Sequence, residues 1–256
     1  MRVLRYLDFF RRFGAGDEYA RFVLAEKISR LIYPRYKFSE FGRMFLYDRP
    51  FIRWYESALG RSNYHSLDRK YALDQLTLLA QHLPGDTAEC GVYKGASSYL
   101  ICRRMSGRGK LHHAFDSFEG LSAPSPEDGT YWRAGDLSVP EAEARATLGD
   151  FDFVVFHRGW IPATFSRVAD RTFCFVHLDV DLYDPTRDSL EFFYDRMVPG
   201  GIILCDDFGF RTCPGAHRAM IDFFRDKPEE IVSLPTGQGL VQTRMGTAVS
   251  EANVDA

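Results

Sequence analysis

Two different patterns of apolar and polar residues divide the chain at about residue 65. Residues 1–60 are rich in aromatic residues and arginine, and they predict helical or irregular structure that is broken at Pro34 and Pro50. From residue 66 onward, apolar residues recur every three or four positions, which predicts a helix over residues 66–82. This helix is expected to end at Pro84-Gly85.

After this helix, short apolar runs alternate with amphipathic segments. The apolar runs predict strands over residues 86–92, 110–116, 152–159, 172–180 and 200–207. The amphipathic segments predict helices over residues 96–105, 139–148, 185–197 and 215–226, with Ser138 as the cap of the second. Residues 230–235 and 239–243 predict a closing pair of strands around Thr236-Gly237. This alternation is typical of an α/β fold with a mostly parallel sheet and helices on both faces.

Ligands of such folds bind beyond the carboxyl ends of the strands, so the residues that follow each strand are the candidates for a site. The first strand runs into "ECGVYKGASS", where Gly91 and Gly95 permit a tight turn and close approach of a ligand. Neither a complete dinucleotide fingerprint nor a P-loop is present. Asp116 follows the second strand, where a nucleotide site places the acid that binds ribose hydroxyls. A structural turn and a helix-capping acid remain the alternatives.

Carboxylates follow two further strands. The fourth predicted strand runs into Asp179, and the fifth runs into Asp206 and Asp207. Carboxylates brought together at adjacent strand ends would repel one another, and a divalent cation relieves this repulsion. A set of oxygen ligands alone favours Mg²⁺, Mn²⁺ or Ca²⁺ over zinc. The alternative is that one or two of these acids cap helices or pair with Arg187 or Arg218.

The segments "ECGVYKGASS", "FDSFEG", "RGW", "HLDVDLY" and "GGIILCDDF", in this order, resemble the macrocin O-methyltransferase family. The resemblance covers residues 65–243. It implies a Rossmann-like class I methyltransferase sheet, mostly parallel with a closing antiparallel strand, and a helical N-terminal extension. It also implies metal-dependent transfer of a methyl group from S-adenosylmethionine to a hydroxyl of a sugar or glycosylated natural product.

The resemblance also implies roles for individual residues. Asp179, Asp206 and Asp207 would hold Mg²⁺, with Mn²⁺ or Ca²⁺ as alternatives. Asp179 is our first choice for the catalytic base, ahead of His157 and Asp181. The related catechol-type enzymes carry a lysine where this chain has Leu182, so their lysine-base mechanism is not carried over. The residues implied to bind S-adenosylmethionine are Glu89, Gly91, Tyr93, Gly95, Ser97, Asp116, Ser117, Gly159 and Trp160.

Composition narrows the class of protein further. A net charge of −3 and the lack of a basic run give no reason to expect nucleic-acid binding. The five cysteines form no CxxC pair, which predicts buried thiols in a reducing, cytoplasmic setting, and no apolar run is long enough for a transmembrane helix. We expect three segments: an extension over residues 1–60 that acts as a lid or homo-oligomer contact, a methyltransferase domain over residues 61–245, and a polar tail over residues 246–256. The loop over residues 122–136 is a second candidate lid.

Three other functions compete with methyl transfer. Asp179 and Asp181 form a D-x-D motif, which in glycosyltransferases holds a metal and a nucleotide sugar. A non-catalytic protein that binds the cofactor would keep the glycine turn and Asp116 without turnover. A nicotinamide-dependent dehydrogenase is disfavoured because the third glycine of its fingerprint is missing.

Overall fold

A computed structural model describes residues 2–35, 44–58 and 66–244. The chain forms two compact units, Met1–Ser62 and Asn63–Ala256. The predicted boundary near residue 60 and the predicted tail over residues 246–256 lie outside the described residues, so the proposed division into segments stays a prediction. Within the described ranges, no helix has both the length and the apolar character that a membrane span requires.

The first unit is helical, which confirms the helical N-terminal extension. Its helices are α1 (Arg2–Gly14), α2 (Glu18–Ile32) and α3 (Arg49–Ala58). Helix α2 begins at Asp17, whose carboxylate accepts the N–H of Ala20 at 2.8 Å, and it ends shortly before Pro34. Pro50 lies in the first turn of α3, where the missing N–H has no helical acceptor to lose. The expected break at Pro50 is therefore the start of a helix.

The second unit alternates helices and strands as the sequence predicts. Its elements are α4 (Leu67–Ala80), β1 (Asp86–Cys90), α5 (Ala96–Met105), β2 (His112–Asp116), α6 (Glu141–Leu148), β3 (Val154–Arg158), β4 (Phe173–Leu178), α7 (Tyr183–Phe193), β5 (Met197–Cys205), α8 (Pro214–Phe224), β6 (Val232–Ser233) and β7 (Gly239–Gln242). The strands form one sheet in the order β3-β2-β1-β4-β5-β7-β6. The first five strands of this order are parallel, and β7 is antiparallel to both β5 and β6. The predicted fold class is confirmed.

One predicted cap is wrong. Helix α6 begins at Glu141 with Pro140 at its N-cap position, and Ser138 instead donates its hydroxyl to the carbonyl of Phe118 at 3.4 Å. A residue that precedes proline is disfavoured in the helical conformation, which moves the start of the helix beyond Val139 and leaves Ser138 too far away to cap it.

The strand order places a crevice between β1 and β4. From β1 the chain proceeds to β2 and β3 on one side, whereas β4 and β5 lie on the other side. This reversal is the topological switch point at which open α/β sheets bind their ligands. Every residue of β1 and of β4 is buried, so both strands are covered on both faces and held rigidly. Residues that follow these two strands are therefore presented by a fixed frame.

The hydrogen-bond ladder continues one residue beyond the strands. Gly91 N–H donates to the Phe115 carbonyl at 2.9 Å, Asp179 N–H donates to the Cys90 carbonyl at 2.9 Å, and Asp206 N–H donates to the Leu178 carbonyl at 2.8 Å. Because these three residues extend the same register, they lie side by side at one edge of the sheet. The structure thus brings the glycine turn and the acids after β4 and β5 into one place.

Candidate active site

A cavity of about 510 Å³ opens at this edge of the sheet. Residues that follow five successive strands line it, from Gly91 after β1 to Asp207 after β5. The predicted site residues on its wall are Gly91, Tyr93, Asp116, Ser117, Gly159, Trp160, Asp179 and Asp207. The volume and the partly apolar wall are those of a site for a small organic ligand.

The turn after β1 is shaped by Asp116. Its Oδ2 accepts the N–H groups of Val92 and Tyr93, each at 2.8 Å, and its Oδ1 accepts the N–H of Phe118 at 2.7 Å. Burial raises the pKa of this carboxyl, while these backbone N–H groups act in the opposite direction. Asp116 therefore holds the glycine turn against the end of β2, and one lone pair of Oδ1 is left by these backbone groups.

Gly91 is required by the close approach of two strand ends. Its φ is +84°, and a Cβ at this position would lie 1.8 Å from the carbonyl oxygen of Asp179. Any other residue would push β1 and β4 apart at the point where the cavity begins. This contact is the physical reason for glycine at the first position of the turn.

Four predicted site residues are not on the cavity wall. Gly95 is the N-cap of α5 and faces α6. Ser97 accepts a hydrogen bond from the buried Lys70 ammonium, and Glu89 accepts one from the Ser98 hydroxyl. Asp206 is fully buried and bonded to protein groups. Their predicted contacts with a cofactor or metal stay predictions.

Aspartates converge beside the turn. Asp179, Asp181 and Asp207 line the cavity, and the fully buried Asp206 lies behind them. Ligand atoms of Asp181, Asp207 and Cys213 lie within 4.8 Å of one another. Burial, followed by the charges of Asp206 and Asp207, raises the pKa of Asp179 well above its usual range. Burial and then Asp179 raise the pKa of Asp181 to about 7.

Asp206 differs from the other three because cations surround it. The Arg69 guanidinium lies 3.0 Å from Oδ2, and the Gln238 amide donates to Oδ1 at 2.7 Å. Burial disfavours ionisation of Asp206, but Arg69 and His177 outweigh it and hold its pKa well below the usual range. Arg187 and Arg218, the alternative partners predicted for the acids, pair elsewhere: Arg187 with Asp184 and Asp188, and Arg218 with Asp222.

His177 links Glu89 to Asp206 inside the sheet. Its Nδ1 lies 2.8 Å from Glu89 Oε1 and its Nε2 lies 3.3 Å from Asp206 Oδ1. Burial lowers the pKa of His177, but its contacts with these two carboxylates raise it to about 10. At this pKa the imidazole is protonated near neutral pH, so His177 connects Glu89 of β1 to Asp206, which directly follows β5.

A loop between β2 and α6 forms another wall of the cavity. Tyr131 and Trp132 line the cavity, and the Trp132 indole donates to Cys213 Sγ at 3.4 Å. The thiol of Cys213 in turn donates to Asp181 Oδ1 at 3.3 Å. This loop therefore contacts the acid cluster through a buried cysteine, and its role as a lid stays a prediction.

Asp128 fastens this loop. Its Oδ2 accepts the N–H and hydroxyl of Ser125 at 2.7 and 2.8 Å, and its Oδ1 accepts the N–H of Tyr183, in the first turn of α7, at 2.6 Å.

We expect Asp128→Ala to speed amide hydrogen exchange across residues 121–137 by about tenfold or more, since each lost hydrogen bond to a charged group is worth about 1.5–3 kcal/mol. Hydrogen exchange mass spectrometry measures this. The exposed neighbour Glu127→Ala is the control, and equal exchange in both variants would contradict the role of Asp128.

The macrocin-O-methyltransferase (TylF) family profile matches residues 10–232 of the chain. The chain belongs to this family. The family expectation from the sequence is confirmed.

Relatives of known activity match part of the chain. One from Streptomyces olivaceus, 8-demethyl-8-(2,3-dimethoxy-alpha-L-rhamnosyl)-tetracenomycin-C 4'-O-methyltransferase, is 32% identical over 55% of this chain and 59% of its own. Demethyldecarbamoylnovobiocin O-methyltransferase from Streptomyces niveus is 30% identical over 59% of this chain and 62% of its own. The chain thus spans about three fifths of the length of each relative. The solved O-methyltransferase NovP is 26% identical, with a TM-score of 0.57 over 71% of this chain and 83% of its own.

Proposed function

We propose that the protein is an O-methyltransferase that uses S-adenosylmethionine and a divalent metal ion to methylate a hydroxyl of a sugar or glycosylated natural product. One observation carries the proposal: Asp179, Asp181 and Asp207 share a single cavity with the glycine turn and Asp116. Methyl transfer to a metal-bound oxygen requires a cofactor-binding turn and a cluster of acids on one cavity wall.

The cofactor end of the cavity lies between β1 and β3. Asp116 would accept a ribose hydroxyl with the Oδ1 lone pair that the backbone leaves free, and Gly159 and Trp160 would border the adenine. Gly91, Tyr93 and Ser117 would border the rest of the cofactor. S-adenosylmethionine supplies a methyl group that is already activated on a sulfonium, so the protein needs only to align and deprotonate the acceptor.

The charge balance of the cluster fits a divalent cation. Burial raises the pKa of Asp207, as it does that of Asp179, and neighbouring carboxylates add to the shift, so these acids repel one another as they stand. Among the described residues, Asp206 Oδ2 has the ion pair with Arg69 and no further hydrogen bond. In the part of the chain that the structure describes, the cluster has five carboxylates and three cations, which leave an excess of two negative charges when all are ionised. The carboxylates are Glu89, Asp179, Asp181, Asp206 and Asp207, and the cations are Arg69, Lys70 and His177.

Asp179, Asp206 and Asp207 are the proposed ligands, and their oxygen atoms suit Mg²⁺, Mn²⁺ or Ca²⁺. The ion would lower the pKa of an acceptor hydroxyl and orient it. Asp179, which is partly open to the cavity, is the proposed base. Asp181 is a second carboxylate on the same wall, and its pKa of about 7 suits proton transfer near neutral pH.

The side chains at the acceptor end of the cavity suit the binding of a sugar or a glycoside. Tyr131, Trp132 and Phe210 line it, and aromatic faces pack against the apolar faces of sugar rings. The loop that Asp128 fastens would exclude water while the acceptor hydroxyl is held against the carboxylates. By its name, the relative from Streptomyces olivaceus methylates a compound that carries a rhamnosyl group.

Binding measurements separate this proposal from its competitors. Isothermal titration with S-adenosylhomocysteine and with UDP, each in the presence of Mg²⁺, is expected to show binding of S-adenosylhomocysteine alone. Incubation of the protein with labelled S-adenosylmethionine and a panel of sugar nucleotides and glycosides then reveals a methylated acceptor by mass spectrometry. Binding of UDP without S-adenosylhomocysteine would instead identify the D-x-D glycosyltransferase. Cofactor binding with no methylated product across the panel would support a non-catalytic binding protein.

A further inference from the structure

Arg69 places a permanent positive charge inside the acid cluster. Only 6% of its side chain is exposed, and its Nη2 lies 3.0 Å from Asp206 Oδ2. It also lines the cavity, on the side where the acceptor is proposed to bind. A guanidinium cannot lose its proton in a protein, so this charge is present at every pH that the protein experiences.

Neighbouring groups hold the guanidinium in this position. Its Cζ lies 4.7 Å from the centre of the Phe210 ring, within the range of a cation–π contact. The fully buried Gln238 amide donates to the Arg69 carbonyl at 3.4 Å and also to Asp206 Oδ1 at 2.7 Å. One amide thus ties the backbone of Arg69 to the carboxylate that its side chain contacts. The guanidinium is a fixed part of the site.

The guanidinium acts on the whole cluster. It interacts electrostatically with Asp206, Asp179, Asp207 and Asp181. These are the carboxylates that would attract a divalent ion. Charges in a buried site are screened much less than charges on the surface, so two cations in this cluster repel each other strongly. While the guanidinium contacts Asp206 Oδ2, a divalent ion cannot bind this oxygen atom.

We infer that Arg69 competes with the divalent ion for Asp206 and thereby sets how tightly the protein binds metal. The inference rests on the metal site of the proposed function. Arg69 lies on α4, which contributes no proposed metal ligand. The metal affinity would therefore be controlled by a residue outside the set of ligands. The wild-type chain should bind the ion weakly, and removal of the guanidinium should strengthen binding.

The test measures Mn²⁺ affinity by electron paramagnetic resonance on the full chain, without cofactor or acceptor. Arg69→Ala and Arg69→Gln remove the charge, and both are expected to lower the dissociation constant by about tenfold or more. Arg69→Lys keeps the charge and is expected to stay within about threefold of the wild type. Arg218→Ala is the matched control, because Arg218 is exposed and pairs with Asp222 on the surface. Its dissociation constant should not change.

Chemical rescue separates competition from a change in fold. Guanidinium chloride at non-denaturing concentration should weaken Mn²⁺ binding to Arg69→Ala and affect Arg69→Gln less. Only the alanine variant has space for a free guanidinium ion beside Asp206. If the wild type binds Mn²⁺ and neither neutral variant binds it more tightly, the inference is wrong while the metal site stands. If no chain binds Mn²⁺, the metal part of the proposed function fails together with the inference. Circular dichroism confirms folding, and the glutamine variant carries the test if the alanine variant does not fold.

Discussion

Asp179→Asn is expected to reduce methyl transfer by about 10³-fold or more and to remove Mn²⁺ binding, while the affinity for S-adenosylhomocysteine stays within about threefold. The asparagine keeps the shape of the side chain and the backbone contacts of Asp179 with Cys90 and Gly91. It removes the carboxylate charge that burial, Asp206 and Asp207 make costly without a cation. Turnover assays, Mn²⁺ titration and calorimetry measure the three effects separately.

Asp181→Asn is the matched comparison for this variant. Asp181 has a φ of +59°, and asparagine tolerates this left-handed conformation as well as aspartate does. Full turnover in Asp179→Asn would contradict both the metal and the base roles of Asp179. Loss of turnover in Asp181→Asn alone would identify Asp181 as the base and show that the assignment to Asp179 is wrong.

Asp206 is a less direct probe of the metal site. An asparagine there would remove the carboxylate that lies 3.0 Å from the buried Arg69 guanidinium, and it would leave His177 with Glu89 as its remaining ion-pair partner. Breaking a buried ion pair on one side typically costs about 3–5 kcal/mol of stability. Loss of activity in Asp206→Asn would therefore combine a damaged fold with a damaged site, which Asp179→Asn avoids.

The second large effect is expected at the cofactor end. Asp116→Ala should weaken the binding of S-adenosylhomocysteine by about 100-fold or more, because it leaves backbone N–H groups of the turn without their acceptor and removes the proposed ribose contact. Those donors are Val92, Tyr93 and Phe118, at 2.7–2.8 Å from the carboxylate. Calorimetry measures the loss.

The matched control for Asp116 is Asp150→Ala. Asp150 is exposed and lies before β3, at the edge of the sheet away from the cavity. This control should bind S-adenosylhomocysteine as the wild type does. If Asp116→Ala also binds it normally, neither the turn nor the ribose contact depends on Asp116, and the proposed cofactor site is wrong.

Local patterns predicted the sheet well because its strands are short apolar runs bounded by turns. The segment Cys174–Leu178 is apolar enough to be a buried strand, and the structure buries it on both faces. The same reasoning placed Asp179, Asp206 and Asp207 at one edge, because parallel strands all end on the same side. Where the pattern failed, at Ser138, a proline two residues later moved the start of the helix.

The partners of the acids were not predictable in the same way. Arg69 and Lys70 lie on α4, the helix that precedes the sheet. Basic residues on a helix are usually exposed, and nothing nearby in the sequence marks these two as buried. Cys213, Gln238 and Asp128 likewise reach the site from distant segments. The basic residues of this helix could have been considered as partners only after the acids at the strand ends had been identified.

The sequence by itself determined the order of the elements, the glycine turn and the gathering of acids at the ends of β4 and β5. These follow from residue periodicity and from the parallel direction of the strands, which are local properties. Only the tertiary structure decided which acids face the cavity and which are neutralised by protein cations. That division depends on side chains from α4, from β4 and from Gln238, just before β7, that meet around Asp206. Their distances are set by packing between elements that are far apart in the chain.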